Sequence, residues 1–173
     1  MVLEGRAGAR AAFEEFVHTR TAALSRTAFL LTGDAHLAED LVQSTLLAAA
    51  KAWHRIDGDP EPYVRRIMVN QNVSRWRRLG SRVKEVPLPA YADGGADTGP
   101  DPDLRLTLDA ALRLLTPRQR TVLVLRFYED LTEVETGRIL GIGAGTVKST
   151  TREALARLRV VAPHLQTLLE GVA

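Results

Sequence analysis

The side chains best suited to chemistry sit between Leu131 and Arg159, where Thr146, Lys148, Ser149, Thr151 and Arg152 follow a glycine turn, Gly141-Ile142-Gly143. Apolar residues recur at helical spacing on both sides of that turn: Val134, Ile139 and Leu140 before it, Val147, Ala154, Leu155 and Leu158 after it. The five polar residues are therefore left facing outward. Two helices across a sharp turn, the second with free polar groups at its start, form the pattern of a DNA-reading helix-turn-helix. Lysine and arginine suit guanine edges, and serine and threonine suit phosphates or thymine methyls.

A second set lies in the first half. From Pro62 to Lys84 there are seven basic residues and no acidic one. Arg65, Arg66, Arg75 and Arg77 stand there with Trp76 and a run of amides, Asn70, Gln71 and Asn72. Arginines suit phosphates, while amides and aromatic rings suit unpaired bases. Asparagine is a poor helix former, so an amide run inside a helix calls for a reason. From Glu85 to Asp103 the balance inverts, with five acidic residues and no basic one. A basic helix, an acidic connector and a second basic helix point to two nucleic-acid contacts joined by a tether.

The elements that must position these groups are all helical. A first helix is expected from about Gly8, with Phe13, Phe16, Val17, Leu24, Ala28 and Leu31 on one face, ended by Gly33. Asp34 suits the N-cap of a second helix to Trp53. Asp59-Pro60-Glu61-Pro62 opens a third, from about Tyr63 to Arg78. Residues 80–102 hold four prolines and four glycines, the composition of an extended connector and of a domain boundary. Helix four is expected from Asp103, helix five after the capping box Thr116-Pro117-Arg118-Gln119, and helix six after Thr132-Glu133-Val134-Glu135. Helix five carries Val122, Leu123, Leu125, Arg126 and Phe127. The last helix has glycines at 143 and 145 where a side-chain cap would stand, which predicts a late start or fraying in the free chain. The fold class is thus all-α, in two small helical domains with a flexible linker.

Composition narrows the function. The chain has no cysteine, which excludes a disulfide scaffold, a thiolate zinc site and a cysteine nucleophile. Its four histidines, His18, His36, His54 and His164, have no partners at helical spacing, so no metal site is expected. No phosphate loop, triad or paired carboxylates point to an enzyme. Neither a signal peptide nor a membrane span is legible, so a cytoplasmic protein is expected.

The ordered motifs resemble a known family. GIGAGTVKSTTREALARLR is similar to the closing motif of sigma factors, in their fourth conserved region, and LTPRQRTVLVLRFYEDLTEVETGRILG to the helices before it. LTGDAHLAEDLVQSTLLAAAKAW resembles the part of the second conserved region that docks on RNA polymerase, and PYVRRIMVNQNVSRWRR the helix that melts and reads the −10 element. With two domains and a short linker, the chain resembles the extracytoplasmic-function group of bacterial sigma factors, in its SigE-like actinobacterial type.

That resemblance implies region 2 over residues 8–79, a linker over 80–102, region 4 over 103–160 and a tail over 161–173. It implies that Asp40, Leu41, Val42 and Gln43 lie on the surface that meets the polymerase. Asn70 would help to hold a flipped −10 base, with Arg65, Arg66, Arg75, Trp76 and Arg77 around it. Thr146, Lys148, Ser149, Thr151 and Arg152 would read the −35 element. The implied partners are core RNA polymerase (the β′ clamp helices and the β flap), promoter DNA and, as a candidate, an anti-sigma factor. No cofactor, metal or small-molecule substrate is implied. The sequence departs from the family pattern at Thr150, where a second basic residue often follows the Lys-Ser pair. A helix-turn-helix regulator that binds duplex DNA without polymerase is the alternative, although such a protein has no need of the basic, amide-rich third helix.

Overall fold

A computed structural model describes residues 2–82 and 102–163 of the chain, with side chains for 8–78 and 108–163. Among the described residues every regular element is a helix. Helix α1 spans Val2–Thr32 and ends where Gly33 takes a left-handed φ of 72°. The Gly33 N–H donates back to the Phe29 carbonyl at 2.7 Å. Asp34 then starts α2, Ala35–Ala52, its carboxylate accepting from the Leu37 N–H at 2.8 Å. A 3-10 turn, Trp53–Arg55, follows, and the Trp53 ring lies 5.0 Å from that of Phe13 and 5.2 Å from that of Phe16. That contact fastens the end of α2 to α1.

Helix α3 runs over Glu61–Arg82, longer at both ends than the expected Tyr63 to Arg78. The Asp59 carboxylate accepts from the Glu61 N–H, and the Pro60 carbonyl accepts from the Val64 N–H, so the helical ladder starts two residues early. Leu24, Ala28 and Leu31 from α1, Ala38, Leu41 and Ala49 from α2, and Val64, Met68 and Val73 from α3 form the core of this half. Burying each of the large side chains contributes about 1.5–3 kcal/mol.

The second half contains α4 (Pro102–Arg113), α5 (Pro117–Leu123), α6 (Glu133–Leu140) and α7 (Ala144–Val161). Both expected capping boxes form, Thr116 with Gln119 and Thr132 with Glu135. After Leu123 the chain of helix five widens into a π-helical turn, Val124–Tyr128, followed by Asp130 at φ 51°. The wide turn keeps Val124 and Leu125 buried while Phe127 and Tyr128 turn outward.

The halves share one hydrophobic cluster, which the periodicity of the individual helices does not reveal. Polar contacts also cross the seam. Arg120 of α5 donates from Nε to the Leu31 carbonyl at the end of α1, at 3.1 Å. Asn72 of α3 donates to the Thr121 hydroxyl at 3.3 Å. Most of the expected connector, residues 83–101, and the tail from residue 164 lie outside the described residues.

Candidate nucleic-acid interface

The helix-turn-helix is built from glycine geometry. Gly141 ends α6 in a left-handed conformation, and the Ile142 N–H donates to the Gly137 carbonyl at 2.9 Å. Gly137 itself allows the close approach, because a Cβ there would stand 2.6 Å from the Ile142 carbonyl oxygen. Gly143 has an ordinary backbone (φ −69°, ψ 151°), so the reversal depends on Gly137 and Gly141 rather than on 141 and 143. Nor does the recognition helix start late. Helix α7 begins at Ala144, with the Gly143 carbonyl accepting from the N–H groups of Thr146 and Val147.

On α7, Thr146, Lys148 and Arg152 are exposed. Ser149 and Thr151 are half-buried, and their hydroxyls donate to the carbonyls of Thr146 and Val147. Thr150 is buried on the core face with Val147 and Ala154, so its lack of charge takes nothing from the outward row.

On α3 the three amides separate. Gln71 reaches α2, accepting from the Ser44 hydroxyl at 2.7 Å and donating to the Ser44 carbonyl at 3.2 Å. Asn72 is buried and spends its amide on Thr121. Asn70 alone is exposed, and it has no side-chain hydrogen bond among the described residues. Arg66, one turn away, is exposed and equally free.

Arg65, Arg75 and Arg77 of α3 are engaged within the chain. Arg65 donates to Glu61 on its own helix, at 3.1 and 2.6 Å, and to Glu129 across the seam. Burial pulls the Arg65 pKa down, but the hydrogen bonds from Glu61 and Glu129 outweigh it and leave the pKa raised. Arg75 meets the Leu37 carbonyl at 3.4 Å and Asp40 at 3.7 Å. Arg77 donates to the Leu140 carbonyl at 3.0 Å and stacks over Trp76, 5.6 Å from the ring centroid. Trp76 is part-buried and packs against the core with its Nε1 buried and without a hydrogen-bond partner among the described residues.

Of the four residues expected on the polymerase-facing surface, Asp40 and Gln43 are exposed. Leu41 and Val42 are not surface residues: they are 2% and 7% exposed. They share the inward stripe of α2 with Ala38, Thr45 and Ala49 at helical spacing, which the core takes up first.

Between α3 and the second half lies a cleft of about 490 Å³, lined among others by Arg66, Val69, Leu125, Glu129, Arg138 and Ile139. Among the described residues no group of His, Cys, Asp and Glu could hold a metal, and no helix is long and apolar enough to cross a membrane. Glu129, Thr27 and Arg120, which shape the seam, carried no signal in the sequence because their partners are distant in it.

Comparison with known proteins bears on this arrangement. Residues 16–82 match the family model of sigma-70 region 2, and residues 111–160 that of sigma-70 region 4. The chain is 41% identical over 151 residues to the RNA polymerase sigma-E factor of Streptomyces avermitilis, covering 85% of this chain and 83% of that protein. It is 31% identical over 163 residues to the ECF RNA polymerase sigma factor SigE of Mycolicibacterium smegmatis, covering 90% of this chain and 63% of that protein. Among solved structures it is similar to the sigma factor RpoE in complex with the anti-sigma factor NepR from Bartonella quintana, with a TM-score of 0.66 at 27% identity over 86% of this chain and 94% of that one. It shares the fold of CnrH, solved in complex with the cytosolic domain of CnrY, with a TM-score of 0.59 at 22% identity over 94% of each chain.

Proposed function

The chain belongs to the sigma-70 family, in its extracytoplasmic-function group, and from that premise we propose that it binds core RNA polymerase and directs promoter-specific initiation. Helix α7 reads the −35 element in the major groove through Thr146, Lys148, Ser149, Thr151 and Arg152. Helix α3 captures the non-template strand of the −10 element, with Asn70 on a flipped base and Arg65, Arg66, Arg75 and Arg77 on phosphates. Region 2 spans residues 8–79 and region 4 residues 103–160, with the acidic segment between them as a tether. No catalytic group is needed: binding of extruded bases offsets an unstacking cost of about a few kcal/mol per base.

The observation that carries this reading is the exposed, unengaged Asn70 beside Arg66 on a helix that also belongs to a region-2 match. A regulator that reads duplex DNA with α7 alone would have no use for it. Asp40 and Gln43 form the exposed part of the polymerase-docking face on α2. The cleft beside α3 offers an anti-sigma protein a partly apolar seat, a partner class supported by the likeness to the RpoE–NepR complex. Work alongside polymerase places the protein in the cytoplasm.

Asn70→Ala tests the assignment in reconstituted holoenzyme. Permanganate reactivity of thymines in the −10 region is expected to fall about tenfold, while affinity for core polymerase stays unchanged. Equal loss of both would mean that Asn70 serves the fold rather than the bases.

A further inference from the structure

A second, smaller pocket of about 160 Å³ lies where α3, α5 and the turn between α6 and α7 meet, lined by Trp76, Arg77, Arg118, Thr121, Leu140 and Ile142. Two of these residues are arginines and none is acidic. The larger cleft differs, because Asp59, Glu61, Glu129 and Glu135 all line it and repel an anion. Arg118, in the first turn of α5, is exposed and has no hydrogen bond or ion pair among the described residues. Arg77 spends one N–H on the Leu140 carbonyl, a neutral partner, and rests over the Trp76 ring. Its other N–H donors have no partner among the described residues. The Thr121 hydroxyl accepts from Asn72 at 3.3 Å and keeps its own proton to donate. Trp76, which forms one wall, has a buried Nε1–H with no acceptor among the described residues. Positive charge and free donors thus converge beside the apolar walls of Leu140 and Ile142, and no carboxylate answers them.

We propose that this pocket binds a phosphate with three or more unesterified oxygens: inorganic phosphate, or the terminal phosphate of a small monoester. Each guanidinium fork takes two oxygens at once. Two forks from different helices, with a hydroxyl between them, need more free oxygens than the two of a nucleic-acid backbone diester. The volume is small beside the roughly 300–1,000 Å³ of pockets for larger ligands, and it suits a compact oxyanion. An anion seated against the Trp76 wall gives the indole N–H an acceptor once the ring tilts towards it. The site does not depend on promoter reading by α3. Arg77 is shared with that role, so Arg118 carries the test.

The test follows the indole N–H signals of the full chain in a proton–nitrogen correlation spectrum. The chain has two tryptophans, Trp53 and Trp76, and Trp53→Phe assigns their signals. Inorganic phosphate is titrated at neutral pH, with chloride holding the ionic strength constant. The Trp76 signal should move to saturation, while that of Trp53, which packs on Phe13 and Phe16, should stay in place. Arg118→Gln should weaken binding about tenfold, through loss of charge-assisted hydrogen bonds to the anion. Its side chain is exposed and unpaired, so the variant should fold as wild type does by circular dichroism. Arg10→Gln, which removes an exposed charge on α1, controls for net charge and should bind as wild type. Phosphate should raise the melting temperature of the wild-type chain and leave that of Arg118→Gln unchanged. Dimethyl phosphate, which stands for a nucleic-acid diester, should bind roughly tenfold more weakly than inorganic phosphate. Methyl phosphate separates the two sources: binding on a par with inorganic phosphate identifies a monoester ligand, and weaker binding identifies inorganic phosphate itself. Either result keeps the site. No saturable movement of the Trp76 signal, equal movement of Trp53, wild-type affinity in Arg118→Gln, an equal loss in Arg10→Gln, or equal binding of dimethyl phosphate would each overturn the proposal.

Discussion

Asn70, Gln71 and Asn72 are adjacent amides with three destinations: solvent, α2 and α5. Their helical positions differ by about 100° each, so each faces a different neighbour. The sequence marked the run as unusual, and the structure explains two of its members by packing and leaves Asn70 exposed, free for the base contact proposed above. Arg120 is the opposite case, a residue with no sequence signal and a costly position. It is 5% exposed, and burial followed by the charge of Arg113 pulls its pKa well below that of a free guanidinium, to about 10. At about 1.36 kcal/mol per unit, its charged form is disfavoured in the folded state by about 3 kcal/mol, even with the Leu31 hydrogen bond made. A base with a depressed folded pKa carries that penalty fully below pH 10, and it is relieved only as pH rises through 10 towards the value of the free guanidinium. Arg120→Met should therefore raise the unfolding free energy by about 1–3 kcal/mol at neutral pH, measured by urea denaturation. A destabilised variant would show that the Leu31 hydrogen bond outweighs the buried charge.

At the scale of elements, the helix-turn-helix separates two kinds of glycine. Gly137 stands against the turn backbone, and Gly145 meets nothing within 4 Å where a Cβ would be added. Gly137→Ala should cost about 1–3 kcal/mol by overpacking, whereas Gly145→Ala should stabilise by about 0.5–1 kcal/mol through helix propensity. Thermal unfolding checks both, and a harmless Gly137→Ala would mean that the turn has room to shift. Much of this module was legible: both capping boxes, the place of the turn and the exposure of Thr146, Lys148 and Arg152 follow from periodicity and cap chemistry, whereas Ser149 and Thr151 turn partly inward. The π-helical turn was not, because Val124 to Tyr128 reads as good helix and the widening answers to packing beyond that segment. Leu41 and Val42 were misplaced for a related reason. A motif says that a stretch docks somewhere, but only the stripe shared with Ala38 and Thr45 says which of its residues face inward.

At the scale of the molecule, two helical modules in order were readable from charge and motif, and their seam was not. Its contacts join residues 49, 64 and 89 positions apart, Asn72 with Thr121, Arg65 with Glu129 and Leu31 with Arg120. Periodicity gives each helix its inner face without saying which faces meet. The seam matters for function because it holds α3 and α7 on one body in the free chain, whereas a promoter presents its −10 and −35 elements at a separation of its own. The most direct measurement of the central claim is run-off transcription from a genomic promoter library with core enzyme and this chain. The account predicts discrete, chain-dependent transcripts from promoters with shared −35 and −10 sequences; transcription no different from core enzyme alone would contradict it.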